Sequence, residues 1–145
     1  MTIAIGAAIA IILATTGVSI GERRITKTSV KNLGINPELN STFTMMAILG
    51  VALVESCVIY GLIVACQILG AENITTATSV IVGLTIGIPA GIVGIVEGHI
   101  AKTALDAVLR NPDAKGKILT AMIVFIALIE SCAIYSLIVA FKALG

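Results

Sequence analysis

Two apolar stretches of this chain each carry one glutamate near their centre, and the two stretches are almost identical. Glu55 lies within ALVESCVIYGLIVA, and Glu130 lies within ALIESCAIYSLIVA, 75 positions later. At the centre of a transmembrane helix, an Arg, Lys or Asp side chain costs about 2.5 to 3.5 kcal/mol even on lenient insertion scales. We therefore interpret both acids as ion or proton sites. The alternative is a protonated glutamate that only donates a hydrogen bond between helices.

The composition indicates an all-α integral membrane protein. Hydrophobic residues make up 58% of the 145 positions and charged residues only 12%, whereas ordinary soluble domains have about 25% charged residues. A soluble chain of this length could not bury so much apolar surface. The formal net charge of +1 argues against a nucleic-acid partner.

Helix-breaking residues divide the apolar sequence into four segments, which predict four transmembrane helices. The segments cover about residues 2–20, 42–69, 74–109 and 118–144, and the first and third continue into polar sequence. Pro37 and Pro112 end these two extensions, because proline and the residue before it both resist helix. The break GAENIT offers a possible helix N-cap at Asn73. The first segment lacks a basic N-terminal region, so we predict a retained helix rather than a signal peptide.

The four segments form a direct repeat of two helical hairpins. Residues 1–72 form the predicted first hairpin and residues 73–145 the second, and NPE at Pro37 aligns with NPD at Pro112 without a gap. Two helices per repeat keep both copies in the same orientation. Small residues at helical spacing in the first helix of each hairpin predict an inner layer of closely packed helices, with the glutamate helices outside. These are Gly6, Ala10, Ala14, Gly17 and Gly21, and Gly83, Gly87, Gly91, Gly94 and Gly98.

Basic residues predict the orientation of the hairpins. They flank the two polar loops, whereas the link between the hairpins has none and only Lys142 lies near the opposite face. The positive-inside rule then places both loops in the cytoplasm, with the termini and the link outside. The loop-flanking residues are Arg23, Arg24, Lys27, Lys31, Lys102, Arg110, Lys115 and Lys117.

Further oxygen-bearing residues accompany each central glutamate. Ser56 and Ser131 follow directly, and Na⁺ needs several oxygens to replace its water whereas a proton needs only the carboxylate. Helix rise places Glu22 at a height similar to that of Glu55, and Glu97 similar to Glu130. We therefore predict one Na⁺ site at Glu55, Ser56 and Glu22, and a second at Glu130, Ser131 and Glu97.

The charges within each predicted site indicate a bound proton. Two carboxylates and one Na⁺ sum to −1, so one acid, Glu22 or Glu97, should stay protonated and donate a hydrogen bond to the other. For Glu22 the alternative is solvation beside its arginine neighbours. The hydroxyls of Tyr60 and Tyr135 need partners at this depth, and a carboxylate on an adjacent helix would serve.

Two other residue types are expected to lie outside the ion chemistry. We interpret His99, which has no counterpart in the first repeat, as an interfacial residue rather than a ligand. Cys57, Cys66 and Cys132 lie within apolar runs, and we predict buried packing residues rather than a disulfide or a metal site.

With these motifs in view, the whole chain resembles the proteolipid family, known as the c or K subunits, that forms the rotor ring of rotary ATPases and ATP synthases. The glycine-rich first helix, the loop RNPDAKG and ALIESCAIYSLIVAF carry the resemblance. It implies that Glu55 and Glu130 bind the coupling ion between neighbouring hairpins. It also implies hydroxyl ligands in the sodium-type motif and backbone ligands at the carbonyls of Leu53 and Leu128.

The resemblance further implies a homo-oligomeric ring in a prokaryotic cell membrane, where lipid and a stator subunit surround it. Central-stalk subunits would contact the loops at residues 31–40 and 110–117, and this chain would carry ions without ATP chemistry of its own. The first loop has Ile35 where the family carries arginine, and Cys57 and Cys132 replace threonine. Because both acids are retained, each chain is expected to carry two ions.

The sequence leaves three other functions open. A proton-coupled ring would have the same architecture. A small multidrug exporter would also carry a membrane glutamate, but it would need aromatic walls for organic cations, and this chain has no Trp. A structural pore proteolipid gives no reason for the duplicated acid, serine and tyrosine.

Overall fold

The computed structural model describes residues 3–145 and contains four long α-helices. These are α1 at Ala4–Ile35, α2 at Asn40–Gly70, α3 at Thr76–Arg110 and α4 at Lys115–Leu144. Short 3-10 helices at Pro37–Leu39 and Pro112–Ala114 connect the members of each pair. Each long helix is apolar enough to cross a membrane. The start of the first apolar segment at Thr2 lies outside the described residues.

The helices begin and end where the backbone chemistry requires. In lipid every backbone N–H and C=O must be paired within the chain, and an unbroken helix does this for a long apolar segment. As predicted, α1 and α3 continue through their polar extensions and end just before Asn36-Pro37 and Asn111-Pro112. Pro89 lies inside α3 without ending it.

The link between the hairpins differs from the prediction in its capping residue. Asn73 adopts a left-handed backbone with φ of 61°, whereas Thr75 has the extended backbone of an N-cap. The Thr75 hydroxyl accepts a hydrogen bond of 3.1 Å from the amide of Thr78. The predicted cap at Asn73 is therefore wrong, because an N-cap residue needs extended backbone to direct its side chain at the free amides. The predicted division between residues 72 and 73 lies within this link.

Glycine faces join α1 and α3 into the inner layer that the sequence predicts. A Cβ atom added at Gly17 would overlap the backbone of Gly91, and one at Gly98 would overlap Gly21. The other two helices flank this pair, and α2 and α4 contact each other much less than α1 and α3 do. The inner helices therefore pack backbone to backbone, as small residues allow in lipid.

Contacts at both ends of α1 show that the two hairpins are parallel. At the loop end, the side-chain nitrogen of Asn32 donates to the carbonyl of Leu105 at 3.0 Å. At the other end, Gly6 packs on the backbone of Ser79. Both polar loops therefore lie at the same end of the bundle, as a parallel repeat requires.

Candidate functional site

One of the two central glutamates receives two hydrogen bonds from the other hairpin. On α4, Oε1 of Glu130 accepts from Ser56 Oγ at 2.5 Å and from the Tyr60 hydroxyl at 2.6 Å. Both donors lie on α2, one helical turn apart, so their side chains share one face of that helix. The expected carboxylate partner of Tyr60 is confirmed. The Glu130 carboxylate therefore bridges the two hairpins.

A second carboxyl group lies beside Glu130 in the bundle interior. Glu97 on α3 is fully buried, and its Oε2 atom accepts a hydrogen bond from Cys57 Sγ at 3.7 Å. Its other oxygen, Oε1, has no hydrogen-bond partner within residues 3–145. Glu97 lies near enough to Glu130 for Coulombic repulsion between them. An unpaired buried carboxyl oxygen is costly, so this atom marks a place for a proton or a cation.

The same place includes a backbone oxygen. Ser56 Oγ also lies 2.8 Å from the carbonyl oxygen of Leu53, one turn earlier on α2. A hydroxyl carries a single proton, so Ser56 can donate to only one of its two neighbours at a time and keeps lone pairs for another contact. The site thus brings together oxygens of Glu130, Glu97, Ser56 and Leu53, with Tyr60 at its edge.

The structure does not bring the Ser131 hydroxyl to Glu130 as predicted. Ser131 Oγ donates to the carbonyl of Leu128 on its own helix at 2.7 Å, and the hydroxyl partners of Glu130 come from α2 instead. Consecutive residues on a helix point about 100° apart, so a serine directly after a glutamate cannot face the same cavity. The predicted proximity of Glu97 to Glu130 is retained.

The other central glutamate occupies the free side of the first hairpin. Glu55 is exposed and lines an open depression of about 370 Å³ with Thr26 and Ile48. Its neighbour on α1 is Glu22, which is half-buried and close enough for Coulombic repulsion. Glu22 forms no ion pair with Arg23 among the residues that the structure describes. The predicted grouping of Glu55 with Ser56 is also wrong, because Ser56 faces Glu130.

The repeat equivalents of the residues around Glu130 lie on α4 and do not contact Glu55 among residues 3–145. Tyr135 and Leu128 are each 64% exposed on α4, and Ser131 lies on the same helix. They are the repeat equivalents of Tyr60, Leu53 and Ser56. One chain therefore contains one carboxylate with hydroxyl partners, at Glu130, and leaves Glu55 without them among residues 3–145.

Histidine and cysteine account for the remaining candidates. His99 is exposed and lines an apolar groove with Phe125, away from the contacts of Glu130. All three cysteines are free; Cys57 is buried, whereas Cys66 and Cys132 are exposed, so the prediction of buried packing residues is wrong for these two. Sequence reasoning also missed the contact of Cys57 with Glu97. The only signal for it was that a thiol directly follows each serine.

These features define a class: a multi-pass membrane protein built from two parallel helical hairpins with carboxylates at the hairpin interface. Comparison with known families is specific. The sequence model of the ATP synthase C-subunit family matches twice, at residues 5–68 and 80–142. The chain belongs to this family, in a duplicated double-hairpin form.

Individual relatives agree with that assignment. The second ATP synthase c-subunit of Pelobacter propionicus is 44% identical over 61 residues, which cover 41% of this chain and 67% of that protein. The ATP synthase c-subunit of Trichlorobacter lovleyi is 45% identical over 67 residues, covering 46% and 74%. The ATP synthase c-subunit of Ureaplasma parvum is 51% identical over 57 residues. These residues cover 39% of this chain and 51% of that protein.

Proposed function

We propose that this chain is an ion-translocating subunit of the rotor ring of a membrane rotary ATPase or ATP synthase. The observation that carries the proposal is the bridge from Ser56 and Tyr60 to Glu130, because it forms a carboxylate site at the junction of two hairpins. The relatives are named as c-subunits of ATP synthase, which points to the same complex. Neither a structural proteolipid nor an exporter accounts for this junction site.

The internal repeat supports assembly of identical chains into a ring. Within one chain, hairpin two presents Glu130 to Ser56 and Tyr60 of hairpin one. If the same contact between hairpins forms between two copies, Glu55 of one copy faces Ser131 and Tyr135 of a neighbouring copy. The exposure of both Glu55 and Tyr135 in the single chain fits such an interface. Each chain would then contribute two sites to the ring, one internal and one shared.

Na⁺ is the proposed cargo of both sites. Carboxylate, hydroxyl and carbonyl oxygens at Glu130, Glu97, Ser56 and Leu53 are ligands that a hard cation takes. Glu97 would keep a proton, so that one Na⁺ with the Glu130 carboxylate leaves the site neutral. A neutral site can pass through lipid, whereas a charged one is strongly disfavoured there. In the shared site Glu22 would hold the corresponding proton. The alternative cargo is H⁺, which would need only the carboxylates.

Partners and orientation follow from the same proposal. The loops at residues 31–40 and 110–117 would face the cytoplasm and contact the central stalk, consistent with their basic flanks. A stator subunit would open a path from each site to one side of the membrane, and lipid would cover the remaining sites. The cell membrane of a prokaryote is the proposed location.

Labelling of the purified ring with a hydrophobic carboxyl-reactive carbodiimide tests this function. We expect reaction at Glu130 and Glu55, with strong protection by millimolar Na⁺ but not by K⁺. Glu130→Gln and Glu55→Gln assign each product, and the exposed carboxylate of Glu72 in the link serves as an unprotected control. Labelling that depends only on pH would identify a proton ring instead. The absence of labelling at both acids would overturn the rotor assignment.

A further inference from the structure

The internal repeat is broken where the two hairpins pack together. Within the chain, α1 and α3 approach each other through glycines: a Cβ atom at Gly17 would overlap the backbone of Gly91, and one at Gly21 would overlap that of Gly94. None of these four positions is glycine in the other repeat. The residues at a separation of 75 positions are Ile92, Thr16, Val96 and Ser19.

We propose that the two kinds of junction in the ring, one inside each chain and one between neighbouring copies, hold Na⁺ with different affinities. The inference rests on the proposed ring, in which a second copy covers the free faces of α1 and α3. The internal site at Glu130 is then the tighter one and the shared site at Glu55 the weaker one, although the repeat supplies both with the same types of ligand.

The free face of α3 fits a second copy as its partner. The exposed residues of α3 between positions 76 and 98 are all apolar and lie on one side of the helix. They are Ala77, Ile81, Leu84, Ile88, Ile92 and Val96. The equivalent side of α1, which carries Gly17 and Gly21, is covered by α3 inside the chain. The complementary face of α1 shows the same relation, because Leu105 on α3 is fully buried whereas its equivalent, Val30, is 69% exposed.

The side chains on these free faces exclude the close approach that the internal junction has. At Gly17 the first side-chain atom alone would overlap the opposite backbone. In the equivalent contact between copies, Ile92 and Thr16 place a β-branched side chain on both helices. Helices pack backbone to backbone only through small residues. Between copies, α3 and α1 must therefore lie further apart than they do inside the chain, or rotate away from that arrangement.

The contact between α2 and α3 breaks the repeat in the same way. Gly50 on α2 faces Ala101 on α3, and a Cβ atom added at Gly50 would lie 3.1 Å from the Ala101 side chain. The residue 75 positions beyond Gly50 is Phe125, which is 55% exposed and lines an open apolar groove of about 430 Å³ with His99. An aromatic ring thus lies where the internal junction has no side chain.

Two hydrogen bonds that join the hairpins at the loop end are not reproduced by the repeat. Arg24 and Asn32 on α1 each donate to a backbone carbonyl of α3, at 3.1 Å and 3.0 Å. Their repeat equivalents are His99, whose side chain is shorter, and Ala107, which has no side-chain donor. The junction between copies therefore has fewer polar contacts to hold its helices close.

Helix separation affects the ion site because its oxygens come from both sides of a junction. Ser56 donates to Glu130 across the internal junction at 2.5 Å. Between copies, Ser131 would have to reach Glu55 across a wider gap, and a serine side chain is too short to extend. Na⁺ loses affinity when one of its several oxygens recedes, whereas a proton needs only the carboxylate. When Na⁺ is scarce, the shared sites would carry protons while the internal sites carry Na⁺.

A Na⁺ titration that resolves the two sites tests the inference in the unmutated ring. The ring is labelled with the carbodiimide over a range of Na⁺ concentrations at fixed pH, and the products at Glu55 and Glu130 are quantified separately by mass spectrometry. We expect half-protection of Glu55 to need about tenfold more Na⁺, as for the loss of one hydrogen bond to a charged group. Equal half-protection at both acids would overturn the inference and leave the rotor function intact. The absence of Na⁺ protection at both would contradict the Na⁺ cargo and the inference together.

Glycines placed at the junction between copies should make the two sites more alike. The double variant Thr16→Gly with Ile92→Gly gives this junction the residues of the internal glycine contact. We expect the Na⁺ concentration for half-protection of Glu55 to fall severalfold, toward that of Glu130, whose own value should stay the same. No fall at Glu55 would contradict the steric cause.

The double variant Thr120→Gly with Ile138→Gly is the matched control. Both positions lie on α4 and are exposed, as are their repeat equivalents Met45 and Ile63, so the packing of one hairpin on another covers neither position. The control makes the same two exchanges and should leave the ratio of the two half-protection concentrations unchanged. The same change in this ratio in both double variants would overturn the inference.

The helix separation can also be measured directly, so that the inference stays testable if the glycine variants fail to assemble. Electron cryo-microscopy of the unmutated ring gives the separation of α1 and α3 both inside a chain and between copies. We expect the pair between copies to be about 8 to 10 Å apart, as helices with side chains at their contact are, and the internal pair to be closer. Equal separations would overturn the inference.

Discussion

The two central glutamates stand in nearly identical sequence, yet a single chain gives them opposite surroundings. Glu130 is held by two hydroxyl groups from the other hairpin, whereas Glu55 is exposed beside an open depression. The difference does not come from the residues next to them, since each is followed by Ser-Cys and, five positions on, by Tyr. It comes from position, because the first hairpin packs against the side of α4 that carries Glu130, whereas no hairpin covers Glu55 within residues 3–145.

This comparison shows where a carboxylate site of this kind resides. The Glu130 site belongs to a contact between hairpins, because the acid comes from the second hairpin and its hydroxyl donors come from the first. In the proposed ring, the internal repeat places one such contact inside the chain, and the equivalent contact at Glu55 forms between neighbouring copies. Conditions that alter the packing of hairpins should therefore affect both sites in the ring but only the Glu130 site in a dissociated chain.

The largest expected effect comes from the glycines at which α1 and α3 pack backbone to backbone and so position one hairpin against the other. In Gly17→Ala the new Cβ would overlap the backbone of Gly91, which cannot rotate away as a side chain would. Overpacking costs about 1 to 3 kcal/mol in well-packed interiors, and we expect the upper end here. Thermal dissociation of the ring, followed by gel electrophoresis, should occur at a markedly lower temperature.

Gly116→Ala is the matched control for that change. Position 116 lies at the start of α4 with open space around it, so alanine should be neutral or add up to about 1 kcal/mol through helix propensity. If the two alanine variants dissociate at the same temperature, the close approach of α1 and α3 does not determine the spacing of the hairpins. The environment of Glu130 would then need another explanation.

Much of the fold could be predicted because the chain obeys strong local rules. The ends of α1 at Ile35 and of α3 at Arg110 follow from the Asn-Pro pairs that come next, and the inner layer follows from small residues every three or four positions. The site was less predictable. The sequence pattern groups the neighbours Glu130 and Ser131, whereas in the structure the hydroxyl partner of Glu130 is Ser56, 74 positions away. Sequence periodicity predicts which residues share a helix face, but only the packing of the helices determines which faces contact each other.

A mid-sized effect is expected from removing the tyrosine hydroxyls. Tyr60→Phe deletes the 2.6 Å hydrogen bond to Glu130, and a bond to a charged group is worth about 1.5 to 3 kcal/mol. In the ring, we expect Na⁺ protection of Glu130 from carbodiimide to require at least about tenfold more Na⁺. In detergent-dissociated chains the labelling of Glu130 should become faster.

Tyr135→Phe provides the counterpart for the shared site. Its hydroxyl makes no contact with Glu130, so labelling of Glu130 in dissociated chains should stay unchanged. In the assembled ring the same variant should weaken Na⁺ protection of Glu55, to an extent similar to that of Tyr60→Phe at Glu130. An effect of Tyr135→Phe on Glu130 alone would contradict the proposed contact between copies.

The smallest expected effect concerns the thiols. Cys57 donates to Glu97 at 3.7 Å, and a thiol is a weak donor. Cys57→Ala should therefore cost only about 0.5 kcal/mol, the lower end for a hydrogen bond, and raise the Na⁺ needed to protect Glu130 two- to threefold. By the repeat, Cys132→Ala should do the same for Glu55 in the ring and nothing in dissociated chains. Cys66→Ala, at an exposed position, should change neither site.

The S–H stretching band separates a hydrogen-bonding role of Cys57 from simple packing, since Glu97→Gln should shift the Cys57 band and leave that of Cys66 in place. An unshifted Cys57 band would mean that the thiol only fills space, and that the orientation of the Glu97 carboxyl group depends on Glu130 and the bound ion alone.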